Sequence, residues 1–249
     1  MVRQDWLDSE GGDRWFQTTQ WSQIRGLPQA DQSVRDRLLN SLMQRYWSPV
    51  FWYIRAKRIP RDQAKDLTQD FFHEIVLNRG LFEKADQSKG RLRNLLLVAL
   101  NRYLTSVYRK DSAQKRGPQA KVMSLDQQDF PDPATEDDPE QAYYRGWAAA
   151  LLDRTLAELC DVCYEAGEAH LWGLFSDCII NPILYNSPRP SFKILCERYD
   201  IASESKASNL VTTVKRRFRA ILHRNLRESV DSDQEMDREL TDLLKYLGR

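Results

Sequence analysis

Ala207, Leu210, Val211, Val214, Phe218, Ile221 and Leu222 recur at i, i+3, i+4, i+7 spacing over about four turns, so this segment can bury a face only as an α-helix. Its opposite face is rich in donors: Asn209, Thr212, Thr213, Arg216, His223 and Arg227, flanked by Lys206, Arg217, Arg219 and Arg224. A shorter helical stretch, Ser191 to Tyr199, precedes it. Asp200-Ile201-Ala202 make the turn between them, and Ser203 or Ser205 can cap the second helix. Short helix, turn and long one-sided helix together predict a helix-turn-helix, whose second helix enters the major groove with its N-terminal residues nearest the bases. Lys206, Ser208, Asn209, Thr212 and Thr213 are then expected at base edges, and Arg216, Arg217, Arg219 and Arg224 at phosphates.

The formal net charge of +1 over 249 residues looks wrong for a DNA-binding protein until it is resolved along the chain. Residues 206–227 carry seven Lys and Arg and no acid, and residues 89–121 carry nine against a single Asp. Residues 126–140 carry seven acids and no base, and 228–249 is again acid-rich. Two basic surfaces separated by an acidic connector fit two contacts with nucleic acid on one protein. The plainer reading of each basic run is a solvated helix face.

The first basic run overlaps a helix expected from about Gly90 to Lys110. Leu92, Leu95, Leu96, Ala99, Leu100, Tyr103, Leu104 and Val107 form its apolar stripe, and Arg91, Arg93, Arg102 and Arg109 lie on its other face. Upstream, Ala64, Leu67, Phe71 and Ile75 share one helical face, leaving Asp62, Asp66, Gln69, Asp70 and His73 on the others. An acidic, partly amidic ridge of that kind suits a basic protein partner.

Asp62-x-Ala64-x-Asp66-Leu67-Thr68-Gln69-x-Phe71-Phe72, then Lys89-Gly90-Arg91-Leu92-Arg93, Ala99-Leu100-Asn101 and Tyr108-Arg109-Lys110, resemble region 2 of bacterial extracytoplasmic-function sigma factors. Phe16 to Ser22, Arg45-Tyr46-Trp47-Ser48-Pro49-Val50 and Lys115-Arg116-Gly117 resemble the sigma-like branch common in planctomycetes. Ala207-Ser208-Asn209-Leu210 and Val214-Lys215-Arg216-Arg217-Phe218 resemble its region 4. The resemblance implies binding to core RNA polymerase, at its β′ clamp helices and β flap, with Asp62, Asp66, Gln69, Asp70 and His73 at the docking face. It implies that Arg91, Arg93, Asn101, Arg102, Tyr108, Arg109, Lys110, Lys115 and Arg116 meet an opened minus-10-type element, and that region 4 holds a minus-35-type element as duplex promoter DNA. An anti-sigma factor or other regulatory protein is a further partner the family brings with it. The usual glycine of the region 4 turn is replaced here by Asp200, and the Trp-Leu of many relatives by Leu95-Leu96.

The expected fold is all-α: two small helical domains, a region 2 bundle and a region 4 helix-turn-helix, joined by an extended acidic linker. The boundaries fall at 1–28 (an N-terminal arm), 29–117, 118–140 (the Pro-containing linker), 141–230, and 231–249 (an acidic amphipathic tail). The first strong helix is expected from Ser33 to Arg45, with Pro49 and Pro60 punctuating the next segment, and the tail is expected to pack on the domain before it. No apolar run reaches the roughly 20 residues that span a bilayer, so the cytoplasm is the expected location. Cys160-x-x-Cys163 sits among leucines of a helical segment, which disfavours zinc, and reduced thiols are expected. No cofactor, metal or catalytic constellation is read from the chain: it lacks a Gly-rich phosphate loop and a His-Glu-x-x-His, and His73, His170 and His223 are isolated. Two other readings remain open: a helix-turn-helix regulator that does not engage polymerase, and a sigma-derived interaction protein held by a regulatory partner.

Overall fold

The computed structural model describes residue 24 and residues 26–86, 91–114, 138–227 and 233–247. Every regular element among them is helical. We number the helices α1 (Gln32–Ala56), α2 (Arg61–Phe71), α3 (Leu92–Gln114), α4 (Pro139–Glu165), α5 (Ala169–Phe175), α6 (Phe192–Tyr199), α7 (Glu204–Arg227) and α8 (Asp233–Leu247). None of these helices is long and apolar enough to cross a membrane. Most of the N-terminal arm, linker residues 118–137, and Lys115 and Arg116 lie outside the described residues.

The chain divides into two compact units, one taking in residues up to Ala150 together with 228–249, the other Leu151–Arg227. The expected boundaries are thereby moved: the start of α4 and the C-terminal helix both belong with the first unit. The division falls inside α4, which a reading of composition alone assigns entirely to the second domain.

In the first unit, α1 runs straight through Pro49 to Ala56 rather than stopping near Arg45. An interior proline costs a helix about 3 kcal/mol. Val50, Tyr53 and Ile54, all beyond it, are fully buried, and each such side chain contributes about 1.5–3 kcal/mol, which outweighs the proline. Pro49 is itself buried, and Gly146 of α4 lies directly over it. A Cβ at Gly146 would stand 3.0 Å from Pro49 Cα and 3.0 Å from Trp52 Cδ1, so a larger residue there would push the two helices apart by a few tenths of an ångström. Tyr143, one turn earlier on α4, is fully buried and donates a hydrogen bond to the Arg93 carbonyl at 2.9 Å.

α2 ends in a π-helical stretch, Phe72–Asn78. Phe71 lies 5.7 Å from the Tyr103 ring of α3, and Phe72 stacks on Trp47 of α1 at 5.8 Å. Tyr103 is therefore core, and the α3 stripe of Leu92, Leu96, Leu100 and Leu104 is buried as its spacing predicts.

α8 belongs to the first unit and not to the one that directly precedes it in the chain. It buries Met236, Glu239 and Leu243 within the first unit, and Tyr246 stacks on Tyr144 of α4 at 4.9 Å.

The buried tyrosines carry a pH prediction. Burial pushes the Tyr53 phenol up to about 12, and burial does the same to Tyr103. A folded pKa above the unfolded value near 10 means the neutral phenol is favoured in the native state. That contribution is fully present below pH 10 and is lost as pH rises through 12. The thermal midpoint should stay flat to about pH 10 and then fall, and the combined Tyr53→Phe and Tyr103→Phe variant should show a shallower fall by circular dichroism.

Candidate nucleic-acid interface

In the second unit, Ser191 caps α6 by accepting from the Ile194 N–H at 3.4 Å. α6 closes on Asp200, whose φ of 50° and ψ of 50° are left-handed. Aspartate tolerates this conformation better than most residues, so it can stand where a glycine is usual. The Ile201 N–H then reaches back to the Cys196 carbonyl at 3.0 Å, the closing bond of a Schellman-type helix end, with Ile201 buried beside it. Ser203, not Ser205, caps α7, accepting from the Lys206 N–H at 3.2 Å. Residues 200–203 thus form a tight connection between the two helices.

The turn is braced from α5. A Cβ at Gly173 would fall 2.5 Å from Tyr199 Cε1, so the tyrosine ring lies directly on the α5 backbone. Tyr199 donates to Asp177 at 2.9 Å, and Arg198 pairs with the same carboxylate. Beneath them, Leu159, Cys163, Leu171, Leu174, Phe175 and Leu195 pack against Ala207, Val211, Val214 and Ile221 of α7. Burial raises the Cys163 thiol above its ordinary range.

With that stripe turned inward, Lys206, Asn209, Thr212, Thr213, Arg216 and Arg219 are exposed along α7, while Ser208 is half-buried. Thr212 and Thr213 donate to the carbonyls of Ser208 and Asn209, each at 3.0 Å. Their hydroxyl protons are committed to the helix, so these oxygens meet a partner as acceptors. Two of the expected phosphate contacts are already engaged: Arg217 pairs with Glu168 at 2.5 Å, and Arg224 pairs with Glu158. Asn225 is buried and donates to Thr155 at 3.1 Å, tying α7 to α4.

In the first unit, Asp62, Asp66, Gln69 and Asp70 are exposed on α2, over buried Ala64, Thr68 and Phe71. His73 is exposed too, but it lies in the π-helical stretch, whose wider winding rotates it away from strict 3.6-residue spacing. On α3, Arg102, Tyr108, Arg109 and Lys110 are exposed, whereas Asn101 is half-buried and its side-chain oxygen accepts the Tyr53 hydroxyl.

Arg93 is not on the exposed face assigned to it. It is 4% exposed, paired with Glu239 and with Asp242 at 2.6 Å, and its guanidinium sits 4.2 Å from the Trp147 ring centroid. Arg91, half-buried, pairs with the same two acids. The reason is periodicity: Arg93 precedes Leu97, Leu100 and Leu104 at core spacing, and Glu239 lies between Met236 and Leu243 on the buried stripe of α8. A charge on the apolar stripe of each of two helices is the sequence signal that marks this pair.

The sequence reading also misses part of a cleft of about 270 Å³ between the end of α2, the turn after it and α3. Arg102, Ser106 and Lys110 line one wall, Arg79 and Lys84 contribute from the other, and Tyr103, Ile75 and Val107 supply apolar surface. Arg79 and Lys84 precede the basic run at 89–121, so charge density along the chain does not mark them. Glu74 also lines the cleft and pairs with Arg79, which leaves Lys84, Arg102 and Lys110 as cations beside an apolar floor, a combination that can take a phosphate and a flat ring together. Searches of family models, curated proteins and solved structures return no match to this chain.

Proposed function

We propose that the chain is an alternative sigma factor, which binds core RNA polymerase in the cytoplasm and directs it to promoter DNA for opening and transcription initiation. The observation that carries this reading is the exposed ridge Asp62, Asp66, Gln69 and Asp70 on a helix whose other face buries Ala64, Thr68 and Phe71. A helix-turn-helix regulator acting alone has no use for that ridge. The exposed donors of α7 support duplex reading, and the basic cleft beside Arg102 and Lys110 supports capture of an unstacked base with its phosphates. Sequestration by an anti-sigma factor belongs to the same reading.

Core polymerase supplied with the full chain should initiate run-off transcription on genomic fragments, and Asp66→Lys should weaken its co-purification with polymerase at least about tenfold. Placing a like charge against a basic partner surface costs several kcal/mol. Asp66 is exposed, so the helical signal should be unchanged. Polymerase binding as tight as the parent's would sink the docking assignment. DNA binding without polymerase binding by the parent would favour a regulator acting alone.

A further inference from the structure

α8 carries Asp233, Glu235, Asp237, Glu239 and Asp242 against Arg238 and Lys245. It sets two of these acids against two arginines of the basic segment on which the proposed function relies. Arg91 and Arg93 each contact both Glu239 and Asp242. Around them lie Trp147, and Tyr144 with its hydroxyl on Asn94 at 3.0 Å and its ring under Tyr246. The Arg93 guanidinium lies over both the Tyr144 ring, at 5.8 Å, and the Trp147 ring, at 4.2 Å, and a pair of arginines with aromatic rings beside one of them is the kind of surface that takes phosphates and unstacked bases.

The pairing is a poor choice if stability alone were served. Burying ions costs several kcal/mol each, and apolar residues of similar size commonly do as well or better. The Arg93 Nε, fully shielded, has no hydrogen-bond partner, so the two carboxylates leave the guanidinium incompletely satisfied. Two carboxylates presenting oxygens to a pair of arginines reproduce what two backbone phosphates would present.

We propose that α8 is an internal nucleic-acid mimic: Glu239 and Asp242 occupy a phosphate-binding surface made by Arg91, Arg93, Tyr144 and Trp147, and α8 must leave before that surface meets single-stranded DNA. This rests on the reading that the first unit contacts opened promoter DNA. The occupant to be displaced is part of the chain itself, and the incoming partner is a single-stranded DNA backbone.

The test uses the full chain, a labelled mixed-sequence single-stranded oligonucleotide and no polymerase. The double variant Glu239→Gln/Asp242→Asn should bind at least about tenfold more tightly than the parent, and its salt dependence should steepen by about 0.7 per added phosphate contact. Glu235→Gln/Asp237→Asn changes the net charge equally and should not reproduce the gain. Adding Arg93→Met to the first double variant should reverse it. A gain as large in the charge-matched control, or no gain, overturns the proposal.

Because loosening a buried pair can unfold the region, hydrogen exchange on the unaltered protein gives a second measurement. Residues 233–247 should lose protection when the oligonucleotide is added at saturation, and unchanged or increased protection overturns the proposal. Docking through Asp66 is measured separately on polymerase, so a failure here leaves the outcome of that experiment standing.

Discussion

Tyr143→Ala is expected to lower the stability of the first unit by about 3–5 kcal/mol, the range for removing a large aromatic side chain from a core. Tyr143 is fully buried, its ring edge-on to Tyr53 at 6.3 Å, and its hydroxyl donates to the Arg93 carbonyl. Tyr143→Phe keeps the packing and removes one buried hydrogen bond, so a loss of about 1–2 kcal/mol is expected. Hydrogen exchange resolved along the chain checks both. Protection should fall in α1, α3, residues 139–150 and α8, and persist in residues 169–227. Loss confined instead to α5, α6 and α7 would return the start of α4 to the second unit. A loss of this size is comparable to the whole stability of a small domain, so the alanine variant should also show the effect as reduced soluble yield.

Asn209→Ala and Arg216→Ala should separate base reading from phosphate binding. Asn209 is exposed in the first half of α7, and Arg216 is exposed two turns further on. A side-chain amide can bridge the two hydrogen-bonding positions of an adenine edge, worth about 1–3 kcal/mol of discrimination, so Asn209→Ala should narrow the ratio of specific to random duplex binding about 5- to 150-fold. Arg216→Ala should weaken all duplexes alike and reduce the salt slope by about 1. Fluorescence anisotropy at several salt concentrations, on a selected site and on random DNA, distinguishes the two. An unchanged ratio for Asn209→Ala removes it from base reading, and an unchanged slope for Arg216→Ala removes that residue from the phosphates.

The helices themselves were legible because their signal is local. Period-3.6 spacing of apolar residues marked α2, α3 and α7, and the exposed set on α7 follows from that stripe with no knowledge of what it packs on. Ser191, Asp200 and Ser203 delimit α6 and α7 through bonds to residues no more than five away, which is why the short helix, the turn and the long helix could be placed from sequence. The proline at 49 misled for a complementary reason. Its helix cost is intrinsic and visible, whereas the burial that outweighs it depends on α4, roughly a hundred residues later. Arg91 and Arg93 show the same limit. By composition they belong to a basic run, yet Glu239 and Asp242, far along the chain, neutralise them. Apart from the stretch of α1 beyond Arg45, sequence alone determined where these helices lie and which face of each can be apolar, because both follow from interactions within a turn or two. Which charges reach solvent, which unit α8 completes and where α4 changes partner were decided only by tertiary structure, because an ion's fate depends on what lies across from it.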